Sequence, residues 1–289
     1  MLTRRQMLLS MLAMPVLASC GRLRQNDRAE AVKALEALER SSGGRLGVAA
    51  LDTGNGASIS YRATERFAMC STFKFLLVAA VLERSAREPA LLSRLVHYTP
   101  DVMTSYSPVT GKHIASGMTV EALCDSAMRY SDNTAANLLL DIIGGPHALM
   151  DYIHSLGDWI THLDRYEPDL NTAIAGDDRD TTTPAAMLGN MQRLLLGNAL
   201  PIAQRKLLLE WMTGNTTGNA RIRAGVPAQW LVGDKTGTGD NGSANDIAIL
   251  WPPGKAPILL MVYYTGSHNP PEQCSTVIAA AARIVTRSL

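Results

Sequence analysis

The stretch "STFKFLLVAAVLER", residues 71–84, marks the point at which the 289-residue chain changes from strand-forming to helix-forming sequence. Apolar residues occur on every side of this run, so we expect a helix that is buried on several faces. Before it, "LGVAALD" and "ASISYR" flank the turn residues "TGNG" and predict a β-hairpin. An isolated hairpin is only marginally stable, so further strands must come from elsewhere in the chain.

Those strands are predicted near the C-terminus, in "QWLVGDKTG", "ANDIAILWP" and "APILLMVYYT", before a final helix in "CSTVIAAAARIV". Helical spacing dominates from residue 71 to about 213, where Thr183 and Pro184 supply one clear helix start. The pattern predicts an α/β (α+β) fold in which both chain ends build an antiparallel five-stranded sheet flanked by helices. We assign residues 24–65 and 215–289 to this half of a single domain, 24–289, and residues 66–214 to an inserted all-α half.

The first twenty residues, "MLTRRQMLLSMLAMPVLASC", have the basic start, short apolar run and small residues of an export signal. The ending "LASC" before Gly21 resembles a bacterial lipobox, which implies a lipid on Cys20 and membrane attachment through it. Cleavage near Ala18, which leaves no anchor, is the alternative. The twin arginine resembles a Tat signal, but the sequence does not decide between the Sec and Tat routes. We expect a periplasmic protein.

Composition argues against several kinds of partner. The net charge is only +1, so a polyanionic partner such as nucleic acid is not expected. Beyond Cys20 the chain has three cysteines, Cys70, Cys124 and Cys274, and an odd number leaves at least one thiol without an internal partner. Neither these cysteines nor the six scattered histidines have metal-site spacing. We therefore expect no metal site. We also expect no organic cofactor, and a monomer.

One long segment has little periodicity. Residues 161–181, "THLDRYEPDLNTAIAGDDRDT", are rich in acidic and turn residues. A loop of this length inside a compact domain is usually functional or disordered. Its apolar residues favour a packed omega loop and are Leu163, Leu170, Ala173 and Ile174. We also expect a cis Glu167-Pro168 bond.

Three short motifs could carry chemistry. Ser71 and Lys74 are three residues apart on the predicted helix and so share a face, where a neutral lysine could accept the seryl proton. A capping serine with a solvated lysine is the alternative, which the apolar neighbours of Lys74 weaken. The triplet Ser131-Asp132-Asn133 lies between two predicted helices and could be a helix cap. The triplet Lys235-Thr236-Gly237 follows a strand and could begin a hairpin turn.

In this order the elements SxxK, SDN and KTG resemble those of the penicillin-recognising serine enzymes, and "EPDLN" at residues 167–171 resembles the class A serine β-lactamases. The resemblance extends through "SYSPVTGKH", "DTTTPAAM" and "TTGNARIRAGVP" over essentially the whole mature chain. It implies a β-lactamase/transpeptidase-like fold and hydrolysis of penicillins and cephalosporins, which would confer antibiotic resistance.

The resemblance implies a role for each matching residue. Ser71 would be the nucleophile, with the backbone amides of Ser71 and Thr238 as the oxyanion hole. Lys74 would help to remove the seryl proton, alone or with Glu167 acting through a water, and this choice stays open. Ser131 would return a proton to the lactam nitrogen. Glu167 would activate the deacylating water together with Asn171.

Further residues would bind the substrate. The resemblance places Asn133, Lys235, Thr236, Gly237 and Thr238 on the substrate, with Lys235 facing its carboxylate. Tyr106 would form a wall of the cleft, and Arg221 would be a second cation near the carboxylate unless it is a solvated helix residue. Arg165 and Asp180 would close the neck of the loop as an ion pair.

Two disulfides that occur in relatives are excluded by the residues present. Cys70 would need a cysteine at Gly239, and Cys124 would need one at Val78. The enzymatic alternative is a penicillin-binding DD-peptidase, which shares the three motifs but lacks the deacylating glutamate. A second alternative is a lipid-anchored sensor that stays acylated. Glu167 and Asn171 argue against both.

Overall fold

The computed structural model describes residues 27–289, so the predicted export signal at 1–20 and Cys20 lie outside the described residues. The longer helices are α1 (27–42), α2 (Phe73–Arg87), α3 (Val120–Arg129), α4 (Asn133–Ile143), α5 (Gly145–Ser155), α6 (Pro184–Leu195), α7 (Ile202–Thr213), α8 (Ile222–Gly225) and α9 (Pro271–Ser288). The strands are β1 (Arg45–Asp52), β2 (Ser58–Tyr61), β3 (Phe67–Ala68), β4 (Leu95–Val96), β5 (Met118–Thr119), β6 (Thr181–Thr182), β7 (Leu231–Gly239), β8 (Ser243–Trp251) and β9 (Ile258–Thr265).

The main sheet has five antiparallel strands in the order β2-β1-β9-β8-β7, which confirms the predicted fold class. Its centre joins the two chain ends, because β1 pairs with β9 from Arg45 opposite Thr265 to Asp52 opposite Ile258. The strand β7 lies at the open edge. Lys235, Thr236 and Gly237 are inside this strand and pair with β8, so the interpretation of KTG as the start of a turn is wrong.

Alternation along the strands separates the two faces of the sheet, since successive side chains point in opposite directions. On β1, Val48 and Ala50 point into a core that α1 and α9 cover, and Ala49 points into the larger core of the helical half. On β9, Met261 and Tyr263 point the same way as Ala49. The helix α6 packs on this second face, against β1 and β9.

The helix α2 is buried on several faces, as its sequence predicts, and it lies at the centre of the helical half. Every residue from Phe73 to Leu82 is buried, and α3, α4, α5 and α7 pack around it. Its beginning differs from the prediction, because Cys70–Thr72 form a turn of 3-10 helix before the α-helix starts at Phe73. Within residues 27–289, no helix combines the length and the hydropathy that crossing a membrane requires.

The segment 161–181 is a loop that packs onto the domain. Leu163 and Leu170 are buried, as expected. Ile174 is 53% exposed, so its predicted packing is wrong: it belongs to the outer tip of the loop rather than to its base. The loop ends where β6 pairs with β3, and the Glu167-Pro168 bond is cis, as predicted.

Candidate active site

The first part of the site is the junction of the 3-10 turn and α2. Lys74 lies one turn after Ser71 and donates a hydrogen bond of 2.9 Å from Nζ to Ser71 Oγ. The Lys74 side chain is fully buried, so its amine has no contact with bulk solvent. This burial lowers the pKa of Lys74 below its usual value, and the nearby Glu167 carboxylate opposes the shift. The alternative of a solvated lysine is therefore excluded.

Glu167 reaches the same two side chains from the loop. Its Oε1 is 2.9 Å from Lys74 Nζ and accepts a hydrogen bond of 3.2 Å from Ser71 Oγ. Its Oε2 accepts a hydrogen bond from Asn171 Nδ2. The Ser71 hydroxyl therefore lies between an amine and a carboxylate, both of which can take its proton.

The Ser131-Asp132-Asn133 triplet contributes both to the fold and to the site. Asp132 is a helix cap, since its Oδ1 accepts from Ala135 N at the start of α4. Asn133 Oδ1 accepts a hydrogen bond of 2.6 Å from Lys74 Nζ, and the Ser131 carbonyl accepts one of 2.8 Å. Ser131 has a φ of 59°, a strained conformation for this residue type that points both of its oxygens towards the lysines.

Lys235 completes a chain of polar groups. Its Nζ donates hydrogen bonds of 3.0 Å to Ser131 Oγ and 2.7 Å to the Thr236 carbonyl. Burial, reinforced by the charge of Lys74, lowers the pKa of Lys235 well below its usual value, whereas Asp234 opposes the shift. Two buried amines thus converge on one serine hydroxyl, which places it in a region of positive potential.

The edge strand β7 passes directly beside Ser71. A Cβ on Gly237 would lie 2.7 Å from the Met69 carbonyl, so only glycine allows this approach. Alternate backbone amides of an edge strand have no strand partner on one side. The strand therefore offers main-chain groups to a ligand beside Ser71, where the oxyanion hole of Ser71 and Thr238 was predicted.

Arg221 is not a solvated helix residue. It is 8% exposed and donates from Nη1 to the carbonyls of Gly237 and Asn245, each at 2.7 Å. Its Nη2 donates a hydrogen bond of 2.6 Å to Thr238 Oγ1. The guanidinium thus supports the end of β7 and brings positive charge to the Thr238 hydroxyl.

The neck of the loop is closed by an ion pair. Arg165 Nε lies 2.6 Å from Asp180 Oδ2, and the other oxygen of Asp180 accepts from the amides of Asp164 and Arg165. Asp180 is fully buried. The ends of the loop are therefore held together while Glu167 and Asn171 occupy its inner side.

Asn137 was missed by the sequence analysis. Its Oδ1 accepts from Glu167 N at 3.0 Å, and its Nδ2 donates to the Glu167 carbonyl at 2.9 Å. This side chain on α4 thus holds both backbone groups of the loop glutamate. Its position four residues after Asn133, on the same face of a helix, is the one signal that could have found it.

We expect Asn137→Ala to weaken the hold on Glu167. Two buried backbone groups would lose their partners, at a cost of about 2–4 kcal/mol in the free energy of unfolding. The deacylation step that the resemblance implies for Glu167 should slow about tenfold, since Glu167 would be less well positioned. Thermal unfolding and pre-steady-state kinetics measure the two effects. The exposed Asn198→Ala is the control, and equal behaviour of the two variants would contradict the assignment.

Tyr106 and the cysteines lie at the margins of the site. Tyr106 is 61% exposed with a φ of 59°, and its carbonyl accepts from Asn133 N, so it borders the cleft from the loop before α3. Cys70, Cys124 and Cys274 are free and buried. Burial raises the pKa of Cys70 to about 12, which makes it a poor nucleophile.

Comparison with known proteins places this geometry in a family. Residues 28–289 match the model of the "Beta-lactamase enzyme family". The chain is 49% identical to β-lactamase Toho-1 of Escherichia coli, over 98% of this chain and 97% of the relative. It is 48% identical to the carbapenem-hydrolyzing β-lactamase KPC of Klebsiella oxytoca, over 100% and 98%.

Solved structures agree with these relatives. An ancestral (GNCA) class A β-lactamase superposes with a TM-score of 0.88 at 53% identity, covering 90% of this chain and 100% of the other. A β-lactamase from Desulfarculus baarsii gives a TM-score of 0.87 at 55% identity, covering 90% and 97%. The match of sequence and fold over nearly the whole of both chains shows that this chain belongs to the class A β-lactamases.

Proposed function

We propose that the protein hydrolyses the β-lactam ring of penicillins and cephalosporins through a seryl acyl-enzyme. The observation that carries the proposal is the position of Ser71 Oγ, which is 2.9 Å from Lys74 Nζ and 3.2 Å from Glu167 Oε1. A serine alone is a weak nucleophile, and an adjacent base is what activates it. Such hydrolysis would confer resistance to these antibiotics.

Acylation begins with attack of Ser71 Oγ on the lactam carbonyl. The seryl proton passes to Lys74 or Glu167, and the new oxyanion accepts hydrogen bonds from the backbone amides of Ser71 and Thr238. As the ring C–N bond breaks, the nitrogen takes a proton from Ser131 Oγ. Lys235 and Lys74 flank that hydroxyl at 3.0 Å and 3.4 Å, so a proton can return to Ser131 from either amine.

The carboxylate of the substrate would lie against the end of β7. Lys235 supplies positive charge there, Thr236 and Thr238 supply hydroxyl groups, and Arg221 supports Thr238 from behind. Asn133 Nδ2 donates one hydrogen to the Ser105 carbonyl at 2.9 Å, and its other hydrogen would bind the side-chain amide of the substrate. Tyr106 would cover the opening of the cleft.

Deacylation needs a base that can reach the ester through a water. Glu167 is placed for this role, and the Oδ1 of Asn171 has no hydrogen-bond partner within residues 27–289, so it can accept from the same water. The base then returns its proton to Ser71 Oγ when the ester breaks. A DD-peptidase or a sensor would lack this half of the cycle.

The experiment that tests the proposal uses residues 24–289 with benzylpenicillin and with a chromogenic cephalosporin. Absorbance and intact mass are followed together. We expect many turnovers with little lasting adduct. A stoichiometric adduct on Ser71 without turnover would instead indicate a penicillin-binding or sensor protein.

The pH dependence of acylation can show whether Lys74 or Glu167 is the acylating base. Glu167 favours the charged form of Lys74, so Glu167→Gln should lower the pKa of Lys74 further. A lower pKa makes the neutral amine available at lower pH. If Lys74 is the base, acylation in Glu167→Gln should persist, and its fall on the acid side should move to lower pH.

Quenched-flow mass spectrometry of the acyl-enzyme, from mildly acidic to mildly alkaline pH, measures this rate. Asp169→Asn, in the same loop but exposed, is the control and should keep the native profile. Loss of acylation in Glu167→Gln at every pH would assign the base to Glu167 instead.

The proposal also includes the location of the enzyme in the cell. The N-terminal sequence supports export to the periplasm, with a lipid on Cys20 as an anchor, by a Sec or Tat route that the sequence leaves undecided. Benzylpenicillin does not have to cross the inner membrane to reach a periplasmic enzyme, so this location suits the activity. Fractionation of cells that express the full chain tests it.

A further inference from the structure

A groove of about 850 Å³ lies on the helical half of the protein, between α3, α7 and the β4–β5 pair. None of the residues assigned to catalysis or substrate binding lines it. Its volume is within the range of about 300–1,000 Å³ that is typical of sites for small organic molecules. The groove is therefore large enough for a ligand of its own.

The walls of this groove are apolar and partly exposed. Leu95 and Tyr130 line it and are 51% and 39% exposed. Leu207 forms a second wall, and the buried Met118 and Trp211 form the floor. Clustered apolar residues on a surface gain free energy when a ligand covers them, unlike apolar residues that are exposed singly.

The rim of the groove is acidic. Glu121, Asp125 and Glu210 line it together with His113. Among residues 27–289, the guanidinium that pairs with these carboxylates is that of Arg129, 2.8 Å from Asp125 and 3.3 Å from Glu210. Glu121 makes no ion pair with any residue in the range 27–289. Three carboxylates against one guanidinium leave the rim negative, so charge complementarity favours a cation.

We propose that this groove binds an amphipathic organic cation, with an aromatic or alkyl body against the apolar walls and an ammonium group beside Glu121 and Glu210. The exposed ring of Tyr130 adds a surface on which such a cation is attracted electrostatically. An anionic β-lactam is disfavoured by the same rim. The groove and the catalytic cleft thus select ligands of opposite charge.

The groove also lies behind the second catalytic motif. The Ser126 carbonyl accepts from the backbone amides of Tyr130 and Asp132, each at 3.2 Å, and both Ser126 and Tyr130 line the groove. A ligand there contacts the residue that immediately precedes Ser131. Its binding can therefore be followed at the amides of Tyr130 and Ser131 as well as at the Trp211 indole.

The test uses 4-phenylbutylammonium, the neutral 4-phenylbutanol and the anionic 4-phenylbutyrate, with residues 24–289. Calorimetry gives the affinities, and NMR shifts at Trp211 and Tyr130 give the location. We expect the ammonium to bind about fivefold or more tighter than the alcohol, and the carboxylate weakest of the three, because each exposed charge pair contributes a modest amount.

Two variants examine the rim and the wall separately. Glu121→Gln combined with Glu210→Gln should abolish the preference for the ammonium, whereas Glu36→Gln combined with Glu272→Gln changes the net charge equally at remote exposed positions and should not. Leu207→Arg should weaken binding at least about tenfold by filling the groove with a like charge. Equal affinity for the three probes, or shifts confined to another surface, would overturn the proposal.

Discussion

Ser71→Ala should lose hydrolysis of every β-lactam, with kcat at least about 10⁴-fold lower. The Ser71 hydroxyl lies between Lys74 and Glu167, and among residues 27–289 it is the hydroxyl that hydrogen-bonds to both groups. Removal of a catalytic nucleophile typically leaves only the contribution of binding and of the oxyanion hole. Turnover of a chromogenic cephalosporin and intact mass after incubation measure the effect.

The folded state should survive this substitution. Lys74 and Glu167 remain 2.9 Å apart and keep each other as partners when the hydroxyl is gone. Ser85→Ala is a matched control, because Ser85 is a buried serine on α2 whose hydroxyl donates to the Leu82 carbonyl, away from the site. A cooperative melt close to that of the native protein, with no adduct, is the expected result. Undiminished turnover would overturn the assignment of the nucleophile.

Much of the fold could be predicted because its signals are local. Turn residues fix the first hairpin, apolar length gives α2, and Thr183 with Pro184 marks the start of α6, where the Thr183 side chain does cap the helix. That strands from both chain ends share one sheet follows from economy, since two strands near the N-terminus are too few for a sheet, whereas the pairing of β1 with β9 is seen only in the structure. The three motifs were found in the sequence itself, and the family resemblance that they carry then implied a role for each of their residues.

Other features depend on contacts between distant parts of the chain and leave little trace in one sequence. Asn137 resembles any polar residue on a helix until the loop is placed against it. A turn starting at Lys235 stayed open as an alternative, because the sequence does not show that β8 pairs past Gly237. The burial of Arg221 follows from carbonyls of β7 and β8 that only the folded sheet brings together.

The exposed tip of the loop illustrates the same limit. Ile174 has the composition of a packed residue, but the base of the loop is already filled by Leu163 and Leu170. Hydrophobicity alone does not say which apolar residues a long loop can bury, since a large part of any protein surface is apolar. The sequence predicted a packed loop but not which end of it packs.

Glu167→Ala should convert the enzyme into a covalent trap for penicillins. Acylation can proceed because Lys74 remains beside Ser71, and loss of the carboxylate lowers the pKa of Lys74 further, so more of the amine is neutral. Deacylation should slow by about 10²–10⁴-fold, the usual contribution of a general base. Intact mass after incubation with benzylpenicillin should therefore show a stable adduct at Ser71.

The same substitution tests how the buried charges are balanced. Removing one partner of a buried ion pair typically costs about 3–5 kcal/mol, because the other charge is left uncompensated. Lys74 can avoid most of this cost by losing its proton. Four oxygen neighbours of the amine remain, and one of them, the Ser131 carbonyl, still accepts a hydrogen bond from the neutral amine. The melting temperature of Glu167→Ala should thus fall further at acidic than at alkaline pH. Asp169 is an exposed carboxylate of the same loop, and Asp169→Ala should show neither the adduct nor this pH dependence of the melting temperature. If Glu167→Ala also yields no adduct while turning over normally, the deacylating role belongs to another group.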